Sequence, residues 1–270
     1  MAPITVKILP TDNLNLVLNQ DQGVPIKAVF PPNTVFTQKV TIQRDNLEIV
    51  GNGSTIVWSD HNGMRPGFGT SDSATLTICG TNVTISDLTV KNAFDYVTEG
   101  QKQGGNIAVR HGLQAVAVFT APQSKGTTFH SCTLSSWQDT LFCDGIEDTY
   151  DNCTISGNID FIFGRSFATF KNCTIISLGP GFVTAPSTMA NSDKGLCFEN
   201  CNLICTDDVP DQSVYLARPW HPQGKSGVCS CVYFSHCTLG RHINSSLWTT
   251  MHDSKGGTHT PEESRFSIEN

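Results

Sequence analysis

Two aspartates are the first candidates for chemistry, because they recur at one position of a repeated phrase. SCTLSSWQDTLF (131–142) and NCTISGNIDFIF (152–163) align with Asp139 over Asp160, 21 residues apart. Two carboxylates brought close together in a partly dry site cannot share one pKa: one is pushed up and holds its proton, the other stays ionised. That division yields a proton donor and a nucleophile or base. A cation beside one of them decides which, and Arg218 in YLARPW (215–220) is the candidate. Gln138 adjoins Asp139, and Gln114, 24 residues earlier, opens the segment QAVAVF. Phe142, Phe161 and Phe163 flank the polar residues and are expected to give the site apolar walls. Taken singly, each has an ordinary alternative. An Asp at a turn caps backbone amides, a glutamine joins an amide ladder, Arg218 forms a surface ion pair, and Trp220 is either a sugar platform or a packed aromatic. The argument for a site is their common register.

That register demands a fold that stacks residues one repeat apart. Self-similarity at a period of 20–50 residues is the mark of a solenoid, and stacked strands lie about 4.8 Å apart. The phrases SCTL, NCTI, NCTI, NCNL and HCTL place Cys132, Cys153, Cys173, Cys201 and Cys237 at successive intervals of 21, 20, 28 and 36 residues. We read these cysteines as small residues facing inward, coil on coil, and the widening intervals as loops inserted late in the stack. Short β-patterned runs separated by turn residues begin at Ile26, and long amphipathic helical patterns are missing. The polar, glycine-rich stretch 94–105 reads as an exposed loop. The expected architecture is all-β, a single right-handed parallel β-helix over 1–270 whose loops form a substrate groove. Residues 1–25 and 255–270, where the rhythm is absent, are expected to be peripheral.

Composition narrows the function. The formal net charge of −7 disfavours nucleic acid as a partner, and no polybasic patch suggests a membrane surface. No apolar run reaches the ~18 residues of a membrane helix, and the opening MAPITVKILPTDN shows no export signal. Of the 11 cysteines at least one is unpaired within the chain; Cys197, Cys201, Cys205, Cys229 and Cys231 could include a disulfide, which sequence cannot assign. His236, Cys237 and His242 lack paired metal-ligand spacing, so no metal is expected. Five N-x-[ST] sequons, at Asn52, Asn82, Asn152, Asn172 and Asn244, include two inside the repeat phrase, where a structural role accounts for them.

The phrases QAVAV, WQDTLF, GNIDFIFG and YLARPW, in this order, resemble the signature segments of pectin methylesterases, and the wider match runs from about Ile26 to Phe266. The resemblance implies hydrolysis of galacturonate methyl esters in pectin. Asp160 would be the nucleophile, Asp139 the general acid and then base, and Gln114 and Gln138 the oxyanion donors. Arg218 would hold Asp160, with Trp220, Phe142 and Phe161 against the sugar. It also implies no cofactor, pectin as the partner, a monomer, and action outside the cell after loss of an export signal. TVFTQ (34–38) departs from the family's Gly-x-Tyr-x-Glu phrase at Thr34, Phe36 and Gln38, and Ala217 and Val118 replace a usual glycine and leucine. Four rivals are weaker. A retaining glycosidase has carboxyls ~5 Å apart but no use for paired glutamines. A calcium-dependent lyase needs clustered carboxylates, which Asp207-Asp208 does not supply near Asp160. A thioesterase of the same superfamily, or a carbohydrate-binding β-helix without activity, would be separated by assay.

Overall fold

The computed structural model describes residues 2–21, 23–104 and 112–269. Nearly every strand is short and pairs in parallel with strands one coil before and one coil after, which makes the chain a parallel β-helix with three faces. One face begins with Ile4–Lys7 and Ile26–Val29 and ends with Cys231–Ser235 and Arg265–Glu269. A second begins at Val35–Thr37 and ends at Thr238–Leu239. The third begins at Val40–Ile42, passes through Val118–Thr120 and Leu141–Cys143, and reaches Val214–Ala217.

The repeat phrase is legible in the backbone. At the corner from the first face to the second, each coil puts one residue in the left-handed region: Asn52, Asp87, Ser131, Asn152, Asn172, Asn200 and His236, with φ between 49° and 54°. Asn and Asp enter this region at little cost because their short polar side chains bond locally. The residue after the corner then turns inward, and Cys132, Cys153, Cys173, Cys201 and Cys237 stack in the interior as expected. All eleven cysteines are free thiols. Beside them runs an aromatic stack from Phe129 through Tyr150, Phe170 and Phe198 to Phe234, with centroid spacings of 5.3, 4.7, 4.4 and 4.6 Å. Near-parallel rings one coil apart fill the interior while keeping the strand register.

Three segments carry more structure than their patterning suggests. The stretch 1–25 adds the first strand and a one-turn helix, Leu14–Val17, capped by Asn13. Leu14 and Leu18 are fully buried and close that end of the interior. At the far end Arg265–Glu269 pairs with Cys231–Ser235. The stretch 94–105 contains a short helix, Tyr96–Lys102, begun by the Asp95 carboxylate accepting from the Thr98 amide; residue 105 lies outside the described residues.

Candidate active site

The site lies where the second face turns into the third. Gln114 and Gln138 are bridge partners on adjacent coils, with the Ala115 amide donating to the Gln138 carbonyl at 3.1 Å. On the next coil the Asp139 amide donates to the Ile159 carbonyl at 3.1 Å, which brings Asp160 up beside Asp139. Both aspartates sit at positive φ, 65° and 50°, so each side chain is aimed out of the stack while the chain continues round the corner. The phrase GNIDFIFG supplies the room. Gly164, at φ +125°, lies so close to the coil below that a Cβ would fall 2.0 Å from the Cys143 carbonyl oxygen.

Electrostatics separates the two carboxyls. Arg218, at the end of the strand Val214–Ala217, donates from Nε to Asp160 Oδ1 at 2.8 Å and from Nη2 to Oδ2 at 2.6 Å. Its guanidinium also lies 3.9 Å from the Phe182 ring centroid. Burial works against the Arg218 charge, but attraction and hydrogen bonds from Asp160 outweigh it and raise its pKa. The fork takes both oxygens of Asp160 in charge-assisted hydrogen bonds. Asp139 has no such partner. Burial first, and the Asp160 charge second, push its pKa well above the ordinary carboxylate range, with Arg218 opposing. One carboxyl is clamped by a cation, and its buried neighbour holds its proton to higher pH than a free carboxylate.

These groups line a cleft of about 230 Å³ with Gln114, Gln138, Thr70, Phe142, Phe163, Ala185, Trp220 and Met251. Phe142 stacks on Phe163 at 4.3 Å, and Trp220 meets both edge-on at 6.1 and 5.5 Å. A second cleft of about 200 Å³ shares Phe142 and Trp220 and continues past the ion pair of Arg165 with Asp144. The result is a groove with an aromatic wall across the carboxylates.

The structure thus gathers Gln114, Gln138, Asp139, Asp160, Arg218, Trp220 and Phe142 at one place. Phe161 is a correction: it is fully buried in the interior and has no face on the cleft. The strand's register slips between Ile159 and Ile162 as it rounds the corner, so the alternation that should put Phe161 and Phe163 on one side fails, and Phe163 alone joins the wall. Sequence reasoning missed Thr70, which arrives on a loop, and Met251, which arrives on a short antiparallel ribbon (Met251–His252 with Thr258–His259) outside the repeat. It also missed Asn62, whose Nδ2 donates to Gln114 Oε1 at 3.0 Å. Among the described residues no group of three or more His, Cys, Asp or Glu is arranged to hold a metal ion, and no helix is long and apolar enough to cross a membrane.

Comparison with known proteins fits this geometry. The family model described as Pectinesterase matches residues 29–257. Pectinesterase A of Dickeya dadantii (strain 3937) is 32% identical over 263 residues, covering 87% of this chain and 71% of the relative. Among solved structures, a pectin methylesterase from Yersinia enterocolitica superposes with a TM-score of 0.85 at 30% identity, over 95% of this chain and 87% of that one. A pectin methylesterase in complex with a hexasaccharide gives 0.84 at 29% identity, over 95% and 83%.

Proposed function

This chain belongs to the pectinesterase family of carboxylic ester hydrolases, and we propose that it removes methyl groups from pectin with Asp160 as nucleophile and Asp139 as the proton-transferring group. Pectin methylesterase activity follows from the family; the roles of individual residues are our reading of the site. The observation that carries it is the asymmetry of the pair: Asp160 clamped by Arg218 beside a buried Asp139 whose pKa is pushed up.

With a galacturonate methyl ester in the cleft, an Asp160 oxygen attacks the ester carbonyl carbon. Charge builds on the carbonyl oxygen, and the side-chain amides of Gln114 and Gln138 donate hydrogen bonds to it. As the tetrahedral intermediate collapses, the carbon–methoxide bond breaks and Asp139 gives its proton to the leaving oxygen, releasing methanol. Asp139, now a carboxylate, takes a proton from water as that water attacks the acyl carbon. The bond to Asp160 breaks, the free galacturonate leaves, and both aspartates return to their starting states. Arg218 holds Asp160 through both oxygens and fixes its angle of attack, while Trp220, Phe142 and Phe163 give the sugar an apolar wall. In this reading residues 1–270 are one catalytic domain, working as a monomer on extracellular polysaccharide.

The test is methanol release from highly methylated pectin, together with the length of the polymer afterwards. Wild type should release methanol without shortening the chain, and Asp160→Asn, close to isosteric, should lose at least about 10³-fold in kcat with its fold retained. Cleavage without methanol, or an active Asp160→Asn, would overturn the assignment.

A further inference from the structure

The two glutamines are not equivalently held. Gln138's amide makes no hydrogen bond among the described residues, whereas Gln114 is fastened to the loop after the strand Leu47–Trp58 by two bonds. The Asn62 amide donates to the Gln114 carbonyl at 2.8 Å, and Asn62 Nδ2 donates to Gln114 Oε1 at 3.0 Å. The loop is anchored on both sides of this contact. The His61 ring stacks on Phe94 at 4.2 Å, and its Nδ1 lies 2.8 Å from the Gly112 carbonyl oxygen. At Gly112, with φ +69°, a Cβ would come within 2.9 Å of the Asn62 carbonyl oxygen, so the approach itself requires glycine there. Gly63 then closes the turn by donating to the Phe68 carbonyl at 2.9 Å.

A primary amide has one acceptor oxygen and one donor NH₂, and its terminal torsion is broad and roughly two-fold. Rotated by half a turn, Gln114 would present oxygen where the mechanism needs a donor, and a stabilising contact to the developing oxyanion would become repulsive. With Asn62 Nδ2 donating to it, Gln114 Oε1 is engaged on the loop side and the NH₂ is left for the cleft. We propose that Asn62 is a positioning residue that sets the amide orientation of Gln114 before substrate arrives. The proposal rests on Gln114 acting as an oxyanion donor. It assigns Asn62 no contact with the reacting atoms, only the preorganisation of a group that makes one.

The experiment compares kcat and KM for Gln114→Ala, Asn62→Ala and the double variant, with Asn62→Asp as the orientation probe, on methylated pectin. Asn62→Ala should lower kcat by about 10-fold, part of the effect of losing one oxyanion donor, with KM little changed. The double variant should be no slower than Gln114→Ala, because Asn62 acts only through that side chain. In Asn62→Asp the introduced carboxylate can only accept, draws the Gln114 NH₂ toward itself and turns Oε1 to the cleft. Its kcat should fall below that of Asn62→Ala and recover relative to wild type as the pH drops and the carboxyl gains a proton to donate. Taking the ratio to wild type at each pH removes the pH dependence that the two proteins share. A loop that merely lost structure would not show that recovery. Wild-type rates in Asn62→Asp, or additive losses in the double variant, overturn the proposal while leaving the oxyanion assignment intact. If Gln114→Ala is itself fully active, the oxyanion assignment falls and takes this proposal with it.

Discussion

Two corners of the same coil use one backbone device for opposite ends. At the corner from the first face to the second, Asn152 and Asn172 sit near φ +53° and lie exposed. Their side chains bond along the ladder, Asn152 Nδ2 to Ser131 Oγ at 3.0 Å and Asn172 Nδ2 to Asp151 Oδ1 at 3.1 Å. At the corner from the second face to the third, Asp139 and Asp160 also have positive φ and lie 21 residues apart, against 20 for the asparagines, yet are only 8% and 7% exposed. Backbone conformation and one-coil spacing are shared; surroundings differ. Water and neighbouring polar groups make the first corner a structural ladder. A phenylalanine wall, an arginine fork and a second carboxyl surround the other. What sets the candidate site apart from the structural corner is its desolvation and its charged partner.

The largest effect should follow from breaking the reactive corner at Asp139. In the proposed mechanism Asp139→Asn removes both the proton donor and the later base, so kcat should fall by about 10²–10⁴-fold. In wild type, kcat/KM should decline on the alkaline side as Asp139 loses its proton, at a pH well above the ordinary carboxylate range because burial and the Asp160 charge raise its pKa. The residual activity of the variant should lack that limb. A pH–rate profile of both proteins checks it, and an alkaline limb unchanged in Asp139→Asn would assign the proton to another group.

Asp148 separates burial from catalysis. It lies in the first face, 1% exposed, with Thr120 Oγ1 donating to its Oδ2 at 2.7 Å. Burial raises its pKa to about 6, against hydrogen bonds from Thr120, Ser166 and Thr127 that lower it. A folded-state pKa above the unfolded one means the folded state binds more protons in that interval. Its contribution therefore turns unfavourable as pH rises from about 4 through about 6, by up to about 3 kcal/mol. Asp148→Asn should gain that much relative to wild type between pH 4 and 7 in denaturant unfolding, with kcat unchanged. A constant stability difference across those pH values would show that Asp148 is ionised in the fold.

The smallest effect belongs to the structural corner. Asn172→Ala places a Cβ without a polar tip in the left-handed region and should cost about 1–2 kcal/mol of stability, while Asn172→Gly should cost less. Methanol release should stay within twofold for both. A loss of activity in Asn172→Ala without unfolding would mean that the two corners are mechanically coupled.

Much of this was written in the sequence because a solenoid is nearly one-dimensional. Each coil contacts its neighbours, so a 21-residue spacing between Asp139 and Asp160 already states that they are adjacent, and the NCTI phrase already states where the chain turns and what faces in. Arg218 was identifiable too, from YLARPW and the need for a cation, although only the fold shows that its fork takes both oxygens of Asp160. What only the tertiary structure decided lies where the repeat is interrupted. Phe161 faces the interior because left-handed Asp160 and the register slip at the corner break the two-residue alternation on which its assignment relied. Asn62, 52 residues before Gln114, comes in on an irregular loop, and Met251, 33 after Arg218, on a two-residue antiparallel strand outside the repeat. Their meeting at the cleft depends on long-range packing, which leaves no period in the sequence, so neither could be read until the coils were stacked.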